Sequence, residues 1–317
     1  MKNFAITGVG GYVAPRHLQA IRDTGNRLVA ALDPHDAVGV LDRYSFDVRF
    51  FTEFERFDRH LEKLRRGPEA DRVHYVSICS PNYLHDAHIR LALRVGAHAI
   101  CEKPLVINPW NLDALQELEG ETGGRVHTVL QLRVHPQLKA LRETLRTAAR
   151  SGRHEVCLTY ITARGRWYDV SWKGSDERSG GIVTNIGIHF FDLLLWLFGD
   201  ALHCEVHARS RRRMAGYLEL THATVRWLLS TDSADLPYQT EPGQKTTHRS
   251  ITVDGQELEF SDGFTDLHTL VYREVLAGRG FGIADSRPAI ELTHRIREAP
   301  VVLVPERLHP MLTAAAR

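Results

Sequence analysis

The first 130 residues alternate short apolar runs with segments whose apolar residues recur at helical spacing. The apolar runs predict strands at residues 4–7, 27–32, 48–51, 73–79, 98–101 and 126–132. The intervening periodic segments predict helices at residues 15–24, 54–64, 85–95 and 109–121. Near-continuous apolar strands joined by helices are typical of a parallel sheet covered on both faces. We therefore predict a doubly wound α/β domain over residues 1–132.

The pattern changes after about residue 135. Helices are predicted at residues 137–149 and, strongly apolar, at 187–198, and long alternating segments predict strands at 155–164, 202–210, 215–230 and 249–260. Alternation rich in β-branched residues is typical of an antiparallel sheet with one open face. We therefore predict, over residues 133–317, an α+β domain built on a large, open-faced and mainly antiparallel sheet.

Charge and cysteine content exclude several classes of protein. The chain has 40 Lys and Arg against 39 Asp and Glu, a formal charge of +1, which argues against nucleic acid or an anionic membrane as a partner. The four cysteines form no C-x-x-C pair, and the 18 histidines show no ligand pairs, so we expect no metal site. The most apolar stretch, residues 190–198, is too short to span a bilayer. No signal-peptide pattern is seen, and we expect a cytoplasmic protein.

A glycine-rich turn follows the first strand and indicates a phosphate-binding loop. Gly8, Gly10 and Gly11, followed by Tyr12, let the backbone approach a pyrophosphate at a helix N-terminus. The match to G-x-G-x-x-G is imperfect, because Val13 stands at the third glycine position, and a plain structural turn is the alternative. Asp33 ends the second strand, where a carboxylate binds both ribose hydroxyls and repels a 2′-phosphate. It favours NAD over NADP, unless it is a turn residue only.

Three further motifs are candidates for ligand-binding or catalytic residues. Ser80-Pro81-Asn82-Tyr83-Leu84-His85 follows the fourth strand, at the sheet edge where such domains bind ligands. Glu102-Lys103-Pro104 follows the fifth strand and can hold a fixed cation, although an isolated lysine is more often a surface residue. Asn185-Ile186-Gly187-Ile188-His189-Phe190-Phe191-Asp192 opens the apolar helix, where a lone His189 is more often structural.

Together these motifs resemble the Gfo/Idh/MocA family of nicotinamide-dependent sugar dehydrogenases, over essentially the whole chain. The resemblance implies an N-terminal Rossmann domain and a C-terminal open-faced sheet domain. The segments GVGGYVAPRH, RGRWYDVSWKG, NIGIHFFD, GYLEL and RGFGIADSRPAIEL resemble the branch that oxidises C3 of UDP-N-acetylglucosaminuronic acid, for bacterial surface polysaccharide such as O-antigen. Asn185 replaces an Asp common elsewhere in the superfamily, which accords with this branch.

The resemblance also assigns roles to residues of this sequence. Lys103 and His189 match the catalytic pair, and NAD is the implied cofactor. The implied cofactor-binding residues are Gly8, Gly10, Gly11, Tyr12, Asp33, Ser80, Pro81, Asn82, His85, Glu102, Lys103, Gln131 and Trp172. Candidate substrate-binding residues, chosen to meet a diphosphate, a carboxylate and hydroxyl or acetamido groups, are Arg16, Lys103, Arg133, Arg164, Tyr168, Lys173, Asn185 and His189. His17, beside Arg16 at the start of the first helix, is a lower-ranked phosphate contact.

The expected reaction needs a base for the hydroxyl proton and a cation for the developing alkoxide. His189 suits the first role and Lys103 the second, and the converse assignment stays open. The competing hypotheses are a dehydrogenase of another sugar or inositol, a non-catalytic NAD-binding regulator, and a metal-dependent hydrolase. The family further implies a dimer or tetramer and, in some members of the branch, reoxidation of bound NADH by 2-oxoglutarate.

Overall fold

A computed structural model describes residues 1–147, 152–239, 244–258 and 266–314 of the chain. The chain divides into two compact units. The first combines Met1–His135 with a later segment that ends at Arg287, and the remaining residues form the second.

The strands of the described residues are β1 (Asn3–Thr7), β2 (Arg27–Leu32), β3 (Arg49–Phe51), β4 (Tyr75–Ile78), β5 (His98–Cys101), β6 (Val126–Thr128), β7 (His154–Thr162), β8 (Ala201–Arg209), β9 (Arg213–Leu220), β10 (Ala223–Ser230), β11 (Thr247–Val253) and β12 (Gln256–Glu257). The α-helices are α1 (Ala14–Asp23), α2 (Phe54–Arg66), α3 (His85–Arg94), α4 (Trp110–Thr122), α5 (Pro136–Thr147), α6 (Trp167–Val170), α7 (Asp176–Ser179), α8 (Ile188–Phe198), α9 (Leu267–Leu276), α10 (Ile283–Glu298) and α11 (Pro310–Ala314).

The first unit is built on a six-stranded parallel sheet in the order β3-β2-β1-β4-β5-β6. This confirms the predicted doubly wound domain. The strand order reverses between β1 and β4, so the helices that follow these strands leave toward opposite sides. Ligands of doubly wound sheets bind beyond the carboxyl ends of the strands at such a switch point.

The core of the first unit includes a helix from much later in the chain. Val271 and Tyr272 of α9 are fully buried with Phe4 of β1 and Leu18 of α1. The Tyr272 ring stacks on Phe4 with 5.9 Å between ring centroids. The boundary expected at residue 132 therefore leaves out part of the first unit, because hydrophobic contacts with α1 return α9 to this core.

The second unit is built on a six-stranded mixed sheet in the order β12-β11-β7-β10-β9-β8. Among the described strands, β7 and β10 form its parallel pair, and the other neighbours are antiparallel. Phe191 of α8 packs edge-on against the fully buried Trp227 of β10, with 5.4 Å between ring centroids. The mainly antiparallel sheet predicted for this half is confirmed.

Several predicted strand boundaries are wrong because the alternating pattern runs through tight turns. The strand expected at residues 215–230 is a hairpin, with β9 and β10 separated by Thr221 and His222. The strand expected at 249–260 turns at Asp254 and Gly255, which both have positive φ (51° and 81°), and residues 259–260 lie outside the described residues. Asp-Gly is a typical hairpin turn. β6 is also shorter than expected and is followed by a 3₁₀ turn, Gln131–Val134. Residues 148–149 of the predicted helix 137–149 are likewise not described.

The apolar helix of the second unit is longer than the nine-residue stretch seen in the sequence. α7, a π-helical turn at Val183–Gly187 and α8 join in a helical run, Asp176–Phe198, that is long and apolar enough to cross a membrane by length and composition. In this fold, however, 72% of its most apolar window is buried. It therefore packs as a core helix, as in many soluble proteins.

Gly216 in β9 tests how closely this sheet is packed. A Cβ at this position would overlap the backbone carbonyl oxygen of Glu205 on β8 and lie 2.7 Å from the Trp227 ring. We expect Gly216→Ala to lower the free energy of unfolding by about 3 kcal/mol, the upper range of overpacking effects. Urea denaturation measures this change. Gly39→Ala is the matched control, because a Cβ there has no neighbour within 4 Å. Equal stability of the two variants would contradict the packing.

Candidate active site

The glycine turn lies against the ends of three strands. Gly8 has a φ of 75°, and a Cβ there would lie 2.6 Å from the backbone of Cys79 and Ser80, so only glycine fits. The N–H of Gly8 donates to the Leu32 carbonyl at the end of β2 at 2.8 Å. Val13, at the imperfect position of the motif, has an ordinary φ of −87° directly before α1. The departure from three glycines therefore does not strain the turn.

Asp33 faces this turn from the end of β2. Its carboxylate accepts the Gly10 N–H at 2.9 Å and, on the other oxygen, the His35 N–H at 2.9 Å. The side chain is buried, with 6% of the residue exposed. A buried anion at this position suits the two hydroxyls of a ribose and disfavours a phosphate.

Other residues of the first unit also fit a dinucleotide. The Oε1 atom of Gln131 is buried and has no hydrogen-bond partner among the described residues, so it is available to accept a donor such as a carboxamide N–H. Asn82 is buried after β4, and Tyr12 is 90% exposed beside the glycines. The turn, the acid and this acceptor together match what NAD requires.

Glu102 is buried at the end of β5, and both of its carboxylate oxygens have partners. Oε1 accepts hydrogen bonds from the Nε2 atoms of His17, at 2.9 Å, and of His268, at 2.8 Å. Oε2 accepts the N–H of Lys103 at 3.3 Å. Burial opposes ionisation, but the hydrogen bonds from the two imidazoles hold the pKa of Glu102 well below its usual range.

His17 is therefore wrong as a phosphate contact. Its ring is completely buried between Glu102 and Tyr272, and burial lowers its pKa. Arg16 is exposed at the start of α1. The sequence showed a histidine at a helix start but no sign that helix α9 would cover it.

Two more buried histidines support the Ser80-Pro81-Asn82 turn. The His85 ring contacts the carbonyl oxygens of Ser80, at 2.8 Å, and of Pro104, at 2.7 Å. Nδ1 of His88 hydrogen-bonds to the hydroxyls of Ser80, at 2.8 Å, and of Thr7, at 3.0 Å. Burial lowers the pKa of His88 to about 4.

In the second unit, the loop before α7 gathers polar side chains. The Asn185 amide donates to the Tyr168 hydroxyl at 3.0 Å. The Lys173 ammonium lies 4.3 Å from the centroid of the Trp172 ring. Burial and the charge of Arg164 lower the pKa of Lys173. Among the described residues, neither Arg164 nor Lys173 forms an ion pair with an acid, so this loop is electropositive.

The same loop is closely packed. A Cβ on Gly174 would lie 2.7 Å from backbone atoms of Tyr168 and Asp169, so a glycine is needed there. Arg211 donates to the carbonyls of Asp169 and Gly174, and Arg212 pairs with the Asp169 carboxylate. The arginines of the β8–β9 turn therefore hold the loop in place.

The remaining predicted residues have distinct settings. Arg133 is buried, and its guanidinium donates to the Asp285 carboxylate at 3.3 Å and to the Asp285 backbone carbonyl at 2.9 Å. The guanidinium carbon lies 5.6 Å from the centroid of the Phe281 ring. Lys103 belongs to the first unit and is partly buried, whereas His189 is the second residue of α8 in the second unit. Their catalytic roles stay predictions.

A parallel sheet whose glycine turn faces a buried acid, followed by a mixed-sheet domain, defines a dinucleotide-dependent oxidoreductase. The chain belongs to the Gfo/Idh/MocA oxidoreductase family. Residues 2–129 match the family's NAD-binding Rossmann fold, and residues 154–236 match its C-terminal α/β domain. NAD is the cofactor.

The chain is similar along its length to the WlbA (WbpB) dehydrogenase of Thermus thermophilus. A structure of that protein with NAD and alpha-ketoglutarate is 54% identical, with a TM-score of 0.92 over 98% of this chain and 99% of that one. A second structure holds NAD and UDP-GlcNAcA, at 53% identity, a TM-score of 0.92 and the same coverage.

Curated relatives match less of the chain. The D-glucoside 3-dehydrogenase of Escherichia coli K12 is 29% identical over 44% of this chain and 40% of its own length. The inositol 2-dehydrogenase of Rhizobium meliloti 1021 is 28% identical over 62% of this chain and 55% of its own. The matched stretch thus spans about half or less of these relatives.

Asp33 makes a prediction about cofactor choice. Asp33→Asn removes the charge that we predict to bind the ribose hydroxyls and to repel a 2′-phosphate. Loss of a charge-assisted hydrogen bond is expected to weaken NADH binding about tenfold, while NADPH binding strengthens. Titration of nucleotide fluorescence measures both affinities. Asp36→Asn, an exposed acid of the same loop, is the control. An unchanged ratio of the two affinities would show that Asp33 does not select the nucleotide.

The buried histidines make a prediction about acid stability. The pKa of His88 is lowered from 6.5 to about 4, so the folded protein keeps the ring neutral while the unfolded chain takes up a proton below pH 6.5. The contribution of His88 to the free energy of unfolding is therefore fully present above pH 6.5 and is lost as the pH drops toward 4. Between pH 7 and pH 5 this group alone accounts for about 2 kcal/mol.

Urea unfolding at both pH values measures the loss. His88→Asn keeps a donor near Ser80 and Thr7 and is expected to make the loss smaller by that amount. His35→Asn, at an exposed histidine, is the control. An equal loss in the wild type and in His88→Asn would refute the assignment.

Proposed function

We propose that this protein oxidises the C3 hydroxyl of UDP-N-acetylglucosaminuronic acid to a ketone, with NAD as the hydride acceptor. The observation that carries this proposal is the likeness to the Thermus thermophilus WlbA dehydrogenase, which extends over both units at 54% identity and was crystallised with NAD and UDP-GlcNAcA. Likeness confined to the Rossmann domain would support a cofactor-binding protein of any chemistry.

The electropositive loop of the second unit supports an acidic sugar as the substrate. Arg164 and Lys173 carry positive charge that no acid of the described residues balances, and burial makes the Lys173 charge costly without an anion. Tyr168 and Asn185 form a neutral donor–acceptor pair beside them. We assign the cations to the uronate and diphosphate groups and the neutral pair to hydroxyl or acetamido groups.

In the proposed mechanism, two residues act on the C3 oxygen. His189 accepts the hydroxyl proton, since an ordinary imidazole is largely neutral at pH 7. Lys103 donates a hydrogen bond to the same oxygen and stabilises the negative charge that develops there. NAD⁺, when bound, supplies the acceptor for the hydride that leaves C3. The carbinol thereby loses one proton and one hydride and becomes a ketone.

We propose further residues for each ligand. Those for NAD are Gly8, Gly10, Gly11, Tyr12, Asp33, Ser80, Pro81, Asn82, His85, Glu102, Lys103, Gln131 and Trp172. Those for the substrate, besides the loop residues named above, are Arg16 and Arg133.

We also propose a setting for the reaction. The reaction is a step toward a bacterial surface polysaccharide such as O-antigen, and it takes place in the cytoplasm. The active protein is a dimer or tetramer of this chain. The four free cysteines suit a reducing compartment. The relative's complex with alpha-ketoglutarate supports 2-oxoglutarate as the compound that reoxidises bound NADH.

Turnover of the purified protein tests the function. We expect UDP-N-acetylglucosaminuronate and NAD⁺ to yield a product two mass units lighter, detected by mass spectrometry, and 2-oxoglutarate to raise the yield when NAD⁺ is substoichiometric. A free glucoside and myo-inositol are the competing substrates, chosen from the activities of the curated relatives. Faster oxidation of either competitor would overturn the proposed substrate.

The same assay tests the catalytic pair. Lys103→Ala and His189→Asn are each expected to lower kcat by on the order of 10²–10⁴-fold, because each removes an oriented acid–base or charge-stabilising group. Both variants are expected still to bind NADH, and in His189→Asn, which is not among the residues proposed for NAD, the affinity is expected to stay within about threefold. Lys139→Ala, an exposed lysine on α5, is the control and retains wild-type turnover. Rates within about tenfold of wild type in both active-site variants would exclude these roles.

A further inference from the structure

We propose that three buried histidines, His17, His85 and His268, are positioning residues that fix the backbone on both sides of Lys103. They come from helices α1, α3 and α9, which are far apart in sequence. The inference rests on the proposed catalytic role of Lys103 and extends it, because nothing in the motif around Lys103 itself involves these rings.

On the N-terminal side of Lys103, the contact is made through Glu102. His17 and His268 donate to one carboxylate oxygen, and the other oxygen accepts the Lys103 N–H. The main chain of Glu102 is held by β4 as well, since the Glu102 N–H donates to the Ile78 carbonyl at 3.0 Å. Any movement of the Lys103 amide therefore disturbs a buried charged network, which is costly.

The hydrogen bonds determine where the protons of this network lie. The carboxylate of Glu102 only accepts, so each Nε2 carries a hydrogen. Nδ1 of the neutral His17 ring then has none and accepts the Tyr272 hydroxyl at 2.7 Å. The oxygen of Tyr272 accepts in turn from Ser77 at 2.6 Å. Both ring nitrogens of His17, the Tyr272 hydroxyl and the Glu102 carboxylate therefore all have partners in this chain of bonds.

On the C-terminal side of Lys103, the contact is made through Pro104. The His85 ring lies 2.7 Å from the Pro104 carbonyl oxygen and 2.8 Å from that of Ser80. His85 is 1% exposed, so water does not compete for either contact. A neutral imidazole donates one hydrogen bond, so the ring donates to one of these carbonyl oxygens and packs against the other. In either tautomer it lies between the turn that bears Lys103 and the turn after β4.

A metal ion is a weaker interpretation of the same cluster. The ligand atoms of His17, Glu102 and His268 lie within 4.8 Å of one another, close enough for one ion. The two nitrogen–oxygen separations of 2.8 and 2.9 Å are hydrogen-bond lengths. Ligand atoms of a tetrahedral zinc site, with bonds of about 2.0 Å, lie about 3.3 Å apart.

These contacts leave the main chain at Lys103 with little conformational freedom. A residue that stabilises charge at one oxygen of a substrate needs placement within about half an ångström. A displacement of about 1 Å is enough to cost on the order of 10²-fold in rate. The three rings supply this restraint from behind the turn.

A matched pair of variants at His268 tests the proposal. His268→Gln keeps a nitrogen donor near the position of Nε2, and His268→Leu does not. We expect His268→Leu to lower kcat about 30-fold, within the range for a misplaced catalytic group, with the KM for UDP-N-acetylglucosaminuronate changed less than about threefold. His268→Gln is expected to recover most of the rate. His127→Leu, a largely buried histidine on β6, controls for loss of a buried ring.

A second measurement needs no substrate and separates this proposal from the proposed function. Hydrogen–deuterium exchange of the peptide that contains Lys103 is expected to be about tenfold faster in His268→Leu and in His85→Phe than in wild type. Peptides of the second unit keep their rates. Faster exchange at Lys103 in a protein that does not oxidise the sugar would uphold the restraint and reject the function instead.

Three results would overturn the proposal. The first is unchanged exchange at the Lys103 peptide in both His268→Leu and His85→Phe. The second is an equal fall of kcat in His268→Leu, His268→Gln and His127→Leu, which marks general loss of stability. The third is stoichiometric zinc in the purified protein, with unfolding at lower temperature after EDTA treatment, which assigns the cluster to a metal.

Discussion

The hydrogen bonds to the buried carboxylate of Glu102 join three separate parts of the first unit. A charge in a protein interior is costly unless hydrogen bonds replace its water, and here two imidazoles and a backbone N–H do so. One imidazole comes from α1 and the other from α9. The anion therefore couples the helix after the glycine turn to a helix that returns from late in the chain, and both to the turn that bears Lys103.

Close packing and hydrogen bonds to a buried acid also determine the structure of the predicted nucleotide site of this unit. Gly8 is pressed against the backbone after β4, so the turn lies directly over the ends of the strands. Asp33 faces that turn from β2 with its charge held by N–H groups. These are properties of the backbone and of one acid, and they suit NAD irrespective of the substrate. In the proposed function, the substrate preference comes instead from the cations of the second unit, Arg164 and Lys173.

Much of this fold could be predicted because local patterns and tertiary structure agree. The strands at Arg27–Leu32 and His98–Cys101 have the predicted bounds, since runs of apolar residues between polar turns leave one way to bury them. The hairpin at Thr221 and His222 was missed, because its alternation continues through a turn without glycine. The Asp254-Gly255 turn was an available signal. Helix α9 was missed because nothing near it in sequence indicates which core it joins.

The sequence by itself determined the family and the type of each domain and supplied the candidate site residues, because short motifs carry that information locally. It did not determine the surroundings of those residues. His17 reads as a phosphate contact at a helix start, yet packing with α9 buries it against Glu102. Only the tertiary structure decides such partnerships, because burial and hydrogen bonding of a charge depend on segments more than 150 residues apart in the chain.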